Sequence, residues 1–184
     1  MTDDRLHRYK QELLRWNEKI NLVGPEARDN IDAHIEEALD ASAILTPHGE
    51  VLDFGSGGGL PAIPMAIVSP EAHFHLVESD QKKWAFLKHV VRECGLNAVV
   101  HGDRLARVLT QLPPGLRFSL VTSRAVGKPH EWLPLVAPWM ADGGRVGLFQ
   151  GSAEAPAIQS FVATEAFPLR RGTLVTLTFH VEQP

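Results

Sequence analysis

A single cysteine, Cys94, stands in this chain of 184 residues, so no internal disulfide forms, which fits a reducing compartment. No window approaches the roughly 18 unbroken apolar residues of a membrane span. The opening stretch MTDDRLHRYKQELLRW is charged throughout and has no apolar signal core, which argues against export and for a cytoplasmic protein. Positive charge is in deficit, with 18 Lys and Arg against 22 Asp and Glu and a net charge of −4. A free-standing nucleic-acid binder usually shows the opposite balance, although a local basic patch fits within it. Internal repeats, low-complexity tracts and linkers are absent. One domain over residues 1–184 is therefore expected, with helices over 1–47 and a core over 48–184. No group of histidine, cysteine and carboxylate residues has metal-site spacing, so no metal is expected, and a monomer is the default.

What is present is ordinary in bulk, 44% hydrophobic and 22% charged, and informative in its order. Leu6, Tyr9, Leu13, Trp16 and Ile20 recur at helical spacing, which predicts an amphipathic helix over the first twenty residues. A second helix is expected over 28–45, with Ile31, Ile35, Ala38 and Leu45 on one face. From residue 50 onward short apolar runs (VLDF, HFHLVE, AVVHG, FSLVTS, GRVGLF) alternate with helix-like segments. That rhythm predicts an α/β fold, a mostly parallel sheet covered on both faces. The C-terminal FPLRRGTLVTLTFHV reads instead as an antiparallel hairpin turning near Arg171 and Gly172.

The first strand runs into VLDFGSGGGLP, which places glycine at 55, 57 and 59 behind Asp53. Gly55 suits the positive φ of a tight turn, and Gly57 and Gly59 allow a ligand to lie on bare main chain. The dinucleotide pattern G-x-G-x-x-G would need glycine at 60, where Leu60 stands, and no Gly-Lys-Ser/Thr follows as in a Walker loop. The spacing suits an adenosyl ligand without phosphates, such as S-adenosylmethionine. Glu78, ending the second strand, is placed to accept from a ribose diol, or else to serve as a helix N-terminal charge. Asp103, after the third strand, could accept from an adenine amine or cap the next helix.

Chemistry that the chain lacks narrows the acceptor. Cys94 has no Pro-Cys context for covalent attack on cytosine, the only tyrosine lies in the first helix, and TSRAV follows the fourth strand in place of Asn/Asp-Pro-Pro-aromatic. An aromatic nitrogen that already exposes a lone pair, such as guanine N7, needs alignment rather than a base. Arg124 stands where such an acceptor docks and could hold guanine O6 or a phosphate, or form a structural ion pair. Arg5, Arg8, Arg15 and Lys19 give the first helix a modest basic surface, either solvated or touching phosphate.

WNEKINL, the His34-Ile35 pair, DFGSGGGLPAIPMAI, ESDQKKWAFL and SRAV together resemble the RsmG (GidB) family, which methylates N7 of a guanosine in bacterial small-subunit ribosomal RNA. The resemblance implies a Rossmann-like class I methyltransferase with a seven-stranded sheet, an N-terminal helical extension and S-adenosylmethionine as cofactor. It assigns the cofactor to Asp53, Gly55, Ser56, Gly57, Gly59, Leu60, Glu78, Ser79, Asp103, Arg104 and Arg124. Catalysis falls to Arg124 and His34, and contact with ribosomal RNA or a ribosomal particle to Arg124, Lys128 and Asn21. The chain departs from the family pattern at Glu37 and Ala38 (usually Asp-Ser), at Ser119 (usually an acid) and at Gln150 (usually Lys).

Overall fold

Buried apolar strands alternate with helices along the chain, and the order of elements follows that alternation. The computed structural model describes residues 2–124 and 126–181; Ala125, the third residue of the Ser-Arg-Ala motif, lies outside the described residues. Three helices come first: α1 (Thr2–Asn17), the short α2 (Pro25–Asp29) and α3 (Ile31–Leu45). The core follows as β1 (Glu50–Phe54), α4 (Ala62–Val68), β2 (His73–Val77), α5 (Gln81–Glu93), β3 (Ala98–His101), α6 (Leu105–Gln111), β4 (Phe118–Arg124), α7 (Pro129–Val136) and β5 (Met140–Gln150). The hairpin β6 (Phe161–Leu169) and β7 (Gly172–Phe179) ends the fold.

The seven strands lie in the order β3-β2-β1-β4-β5-β7-β6. β1 to β5 run parallel, and β7 is antiparallel to both of its neighbours. Strand order therefore reverses between β1 and β4, and the carboxyl ends of those strands open a crevice where ligands of such sheets bind. Period-two alternation divides the core between the two faces. Val51 and Phe74 pack with Tyr9, Leu13, Ile63 and Phe86 on one side. Leu52 and Val77 pack with Leu105, Val108 and Leu133 on the other. Among the described residues no helix is long and apolar enough to cross a membrane.

The N-terminal region departs from its expected boundaries for local reasons. α1 stops at Asn17 because the Asn17 side chain accepts from the N–H groups of Leu22 (2.9 Å) and Val23 (3.0 Å), an alternative to continuing the helix. The single helix expected over 28–45 is two. The chain leaves helical geometry at Asn30 (φ −120°, ψ 29°), whose side-chain amide donates to the Glu26 carbonyl. The basic surface expected on α1 is largely spent on the fold. Arg5 donates to the Ile67 carbonyl at 2.9 Å and Arg8 to the Glu93 carbonyl at 2.8 Å, satisfying C-terminal carbonyls of α4 and α5, while Arg15 pairs with Glu12. Trp16 is a packing residue, its ring 5.7 Å from that of Phe86.

Tyr9 fixes α1 to the loop after β1. Its ring is fully buried and its hydroxyl donates to the Gly58 carbonyl at 2.8 Å. Tyr9→Phe keeps the ring and leaves that carbonyl without its partner. Denaturant unfolding should show a loss of about 1–3 kcal/mol; an unchanged midpoint would mean that the hydroxyl does not brace the loop.

Candidate active site

The loop after β1 closes on itself before it meets any ligand. Gly55 and Ser56 donate main-chain N–H bonds to the Val77 carbonyl, and the Ser56 hydroxyl donates to the Asp53 carbonyl at 3.1 Å. The three glycines serve different ends. At Gly59 (φ +87°) a Cβ would stand 2.5 Å from Ile63 Cγ1, so this glycine permits the packing of α4. At Gly55 (φ +74°) a Cβ would meet Val126 Cγ2 at 2.2 Å. At Gly57 (φ +52°) a Cβ would meet nothing closer than the Gly55 carbonyl at 3.7 Å, because this position faces open space.

That space is a cavity of about 740 Å³ at the carboxyl ends of β1, β2 and β3. Its walls include Gly55, Ser56, Gly57, Leu60, Glu78, Ser79, Asp103, Arg104, His34 and Arg124, which brings together most of the residues expected to hold a cofactor. Two expected members do not line it. Gly59 lies under the loop, and Asp53, 1% exposed, is held below by the Thr122 hydroxyl, which donates to its Oδ1 at 2.6 Å. Both support the loop from beneath. Sequence spacing alone does not distinguish a glycine that faces a ligand from one that faces a helix.

Glu78 is set by two main-chain donors, Gly57 N–H at 2.9 Å and Asp80 N–H at 2.8 Å. Asp80 caps α5, accepting from Lys82 and Lys83 N–H, so Glu78 is not the helix-capping charge. Asp103 accepts from Arg104 N–H at 2.7 Å and lies 3.5 Å from Arg107. Arg104, not Asp103, occupies the N-cap position of α6. Both carboxylates keep acceptor capacity beyond these bonds.

A second cavity of about 390 Å³ opens beyond β4 and β5, walled by Trp132, Leu148, Phe149, Gln150 and Arg171, and it shares His34, Arg124 and Val126 with the first. Arg124, last residue of β4, thus stands in the common wall. Its guanidinium donates to Glu37 Oε2 at 2.8 Å and to His34 Nδ1 at 2.9 Å, and its charge lies 5.0 Å from the centre of the Phe149 ring. Glu37, 1% exposed, also accepts the Arg171 main-chain N–H in the β6–β7 turn. Sequence reasoning missed Glu37 as a site residue; its signal was its place one turn after His34 on the same helical face.

Burial and the facing Arg124 charge lower the His34 pKa, so the ring is neutral. Because the arginine can only donate, His34 Nδ1 accepts and the proton sits on Nε2. That nitrogen and Trp132 Nε1 are the two buried side-chain polar atoms without a hydrogen-bond partner among the described residues, and both belong to residues lining the second cavity. Gln150 donates to the Ser152 and Glu154 carbonyls (3.0 and 2.6 Å), bracing the next loop. Lys128 is exposed at the N-cap of α7 and lines neither cavity. Asn21 borders a separate hollow with Lys19, Lys82 and Lys83. Where sequence spacing revealed no metal-ligand group, parallel strand register brings Glu50, His73 and His75 together.

The model of the family described as rRNA small subunit methyltransferase G (GidB) matches residues 2–175. The ribosomal RNA small subunit methyltransferase G of Wolinella succinogenes is 33% identical over 85% of this chain and 79% of its own. That of Magnetococcus marinus is 36% identical over 87% and 73%. Among solved structures, a mutant of MtNAS in complex with S-adenosylmethionine superposes with a TM-score of 0.66 over 97% of this chain and 73% of its own, at 14% identity. TrmN from Thermus thermophilus gives 0.60 over 77% and 48%, at 18% identity. These structures show the shared fold.

Asp53 supplies a pH-dependent readout of the supporting layer. Burial is the main cause that pushes its carboxyl up to about 6 from 3.8, against the lowering effect of Thr122 and Ser56. A raised acid favours the folded state fully below the unfolded value, and that contribution is lost as pH rises through about 6, leaving a standing cost of about 3 kcal/mol above it. Asp53→Asn removes the charge and keeps an acceptor for Thr122. Its stability relative to the parent should grow between about pH 4 and pH 6 by up to that amount and then level off. Unfolding curves offset by a constant across that range would overturn the assignment.

Proposed function

The chain belongs to the rRNA small subunit methyltransferase G (GidB) family, and from that membership and the paired cavities we propose that it methylates N7 of a guanosine in bacterial small-subunit ribosomal RNA, using S-adenosylmethionine. The observation that carries this reading is Arg124 in the wall common to both cavities, where a cofactor on one side and an acceptor base on the other come within reach of one fixed guanidinium.

The residues around the larger cavity fit the cofactor. Gly57 leaves open a cradle that any side chain would fill, and Gly55 and Ser56 present main chain beside it. Glu78 retains lone pairs for the ribose hydroxyls, Asp103 for the adenine amine, and Ser79 and Arg104 complete that rim. Phe54, Leu22 and Val23 supply apolar wall. When bound, the cofactor supplies an electrophilic methyl group on sulfonium.

On the acceptor side the protein has little proton chemistry to perform. Guanine N7 already offers its lone pair, so the task is to align it and exclude water. Leu148, Phe149 and Trp132 form an apolar wall for a base. Arg124 is held by Glu37 and His34 and keeps further donors for guanine O6. Trp132 Nε1–H has no partner, and His34 Nε2–H has Glu26 Oε2 no nearer than 3.7 Å, so both can donate to an acceptor-rich guest such as a guanine or phosphate.

The test is methylation of purified small subunits and naked ribosomal RNA with radiolabelled cofactor, followed by chemical mapping of 7-methylguanosine. Incorporation at one guanosine is expected, and its absence from both substrates overturns the reading. Glu78→Ala should weaken cofactor binding by about 10- to 150-fold, the equivalent of about 1.5–3 kcal/mol. Arg124→Lys keeps the charge opposite Glu37 and loses the planar fork, so turnover should fall at least about tenfold with cofactor affinity nearly unchanged. A loss of cofactor affinity in that folded variant would move Arg124 to the cofactor side.

A further inference from the structure

At the opposite end of the sheet from the cofactor cavity lies a second convergent group of side chains that the methyl-transfer reading does not use. Glu50 and His73 begin β1 and β2 and are register partners, and His75 follows two residues on along the same face. Both imidazoles converge on one atom: Glu50 Oε2 lies 2.9 Å from His73 Nδ1 and 2.8 Å from His75 Nε2. Behind His75, the ring of His101 at the end of β3 stacks at 5.3 Å with its Nε2 3.1 Å from His75 Nδ1, and Phe118 meets His75 edge-on. Among the described residues this is the only group of three metal-ligating side chains whose donor atoms lie together.

We propose that Glu50, His73 and His75 bind a zinc ion, with His101 orienting His75. Two imidazole nitrogens and one carboxylate oxygen are a donor set that zinc takes with a fourth position left to water. Zinc at about 2.0–2.1 Å from each donor sets tetrahedral donors about 3.3 Å apart, so Glu50 Oε2 draws back by about half an ångström from each imidazole, and the three donor atoms already lie within 4.8 Å of one another. Its mobile members are the outward ones. The side chains of Glu50 and His73 are 35% and 39% exposed, and that of His75 is 6% exposed and fixed against Phe118 and His101. The ion therefore has a rigid inner ligand, two adjustable outer ones and a path from solvent.

The hydrogen-bonded pair His75–His101 accommodates the same occupant by a change of tautomer. Zinc on His75 Nε2 moves that ring's proton to Nδ1, from which it donates to His101 Nε2, and His101 in turn carries its proton on Nδ1. Without zinc both rings take the other tautomer, with Nε2–H of His75 on Glu50 and Nε2–H of His101 on His75. His101 stays neutral in each and fixes the ligand ring by the hydrogen bond that metal-bound histidines require.

The untagged full chain, stripped with chelator, is titrated with zinc chloride by calorimetry and melted with and without zinc. One zinc per chain and a higher melting temperature are expected, with no response to magnesium, which prefers an oxygen cage. Glu50→Gln and His73→Ala should each weaken zinc binding at least about tenfold, and His101→Ala by about 10–100-fold. Cofactor affinity in the same variants, unchanged, shows that they fold and separates this result from the methyltransferase reading. The site is overturned if the parent takes up no zinc, or if His73→Ala binds it as the parent does.

Discussion

Glu37 is a carboxylate with almost no contact with water, and the wall between the two cavities is organised around it. It binds the guanidinium at the end of β4 and the main chain of the β6–β7 turn, so one side chain of α3 joins the middle of the sheet to its antiparallel edge. A buried ion pair contributes little net stability, because desolvation offsets attraction, but removing one partner strands a charge at a cost of several kcal/mol. Its value here is positional. Arg124 cannot swing into either cavity without abandoning Glu37, His34 and the Phe149 ring together. The N-terminal helices are therefore part of the site: α3 supplies His34 and Glu37, and α1 braces the glycine loop through Tyr9.

Much of this was legible in the sequence because it is written in local pattern. The alternation of apolar runs with helical spacing announces a parallel sheet, and the broken rhythm from Phe167 announces the hairpin, although its first strand begins earlier, at Phe161. Glycines behind Asp53, with acids ending the next two strands, mark the crevice because a sheet of this winding brings those strand ends together. The illegible parts depend on pairing across long chain separations. Glu37 meets Arg124 across 87 residues, and Glu50 meets His75 across 25, so neither leaves a periodic trace. Nor does spacing say which face of a turn a glycine serves. Gly57 and Gly59 look alike as letters, yet one faces the cavity and the other faces Ile63.

Two of the departures from the family pattern, at Glu37 and Gln150, differ in kind. Glu37 stands where the family has aspartate, and the extra methylene accompanies a reach to both the Arg124 guanidinium and the turn at Arg171. Gln150, in the place of a lysine, ties down the loop that follows β5 and adds no charge to the second cavity. The first preserves the geometry of a charged contact, and the second exchanges a charge for local order.

That exchange bears on how an acidic protein engages RNA. Most cations here are already spent: Lys10 on Asp32, Arg28 on Asp29, Arg92 on Glu93, Arg107 on Asp103 and Arg170 on Glu36, with Arg5 and Arg8 on helix carbonyls. Arg124 and Arg171 are paired as well, with Glu37 and Glu26, which leaves the hollow of Lys19, Lys82 and Lys83, with Asp80 on its rim, as the cluster of lysines beside the site. A chain with few phosphate contacts releases few counterions on binding, so its general affinity for any polyanion is low and its dependence on salt shallow. On the function proposed above, recognition then rests on shape, with the acceptor base entering the cavity walled by Trp132, Leu148 and Phe149. On that reading, scarcity of charge disfavours indiscriminate nucleic-acid binding and leaves the choice of target to the fit of a folded RNA surface.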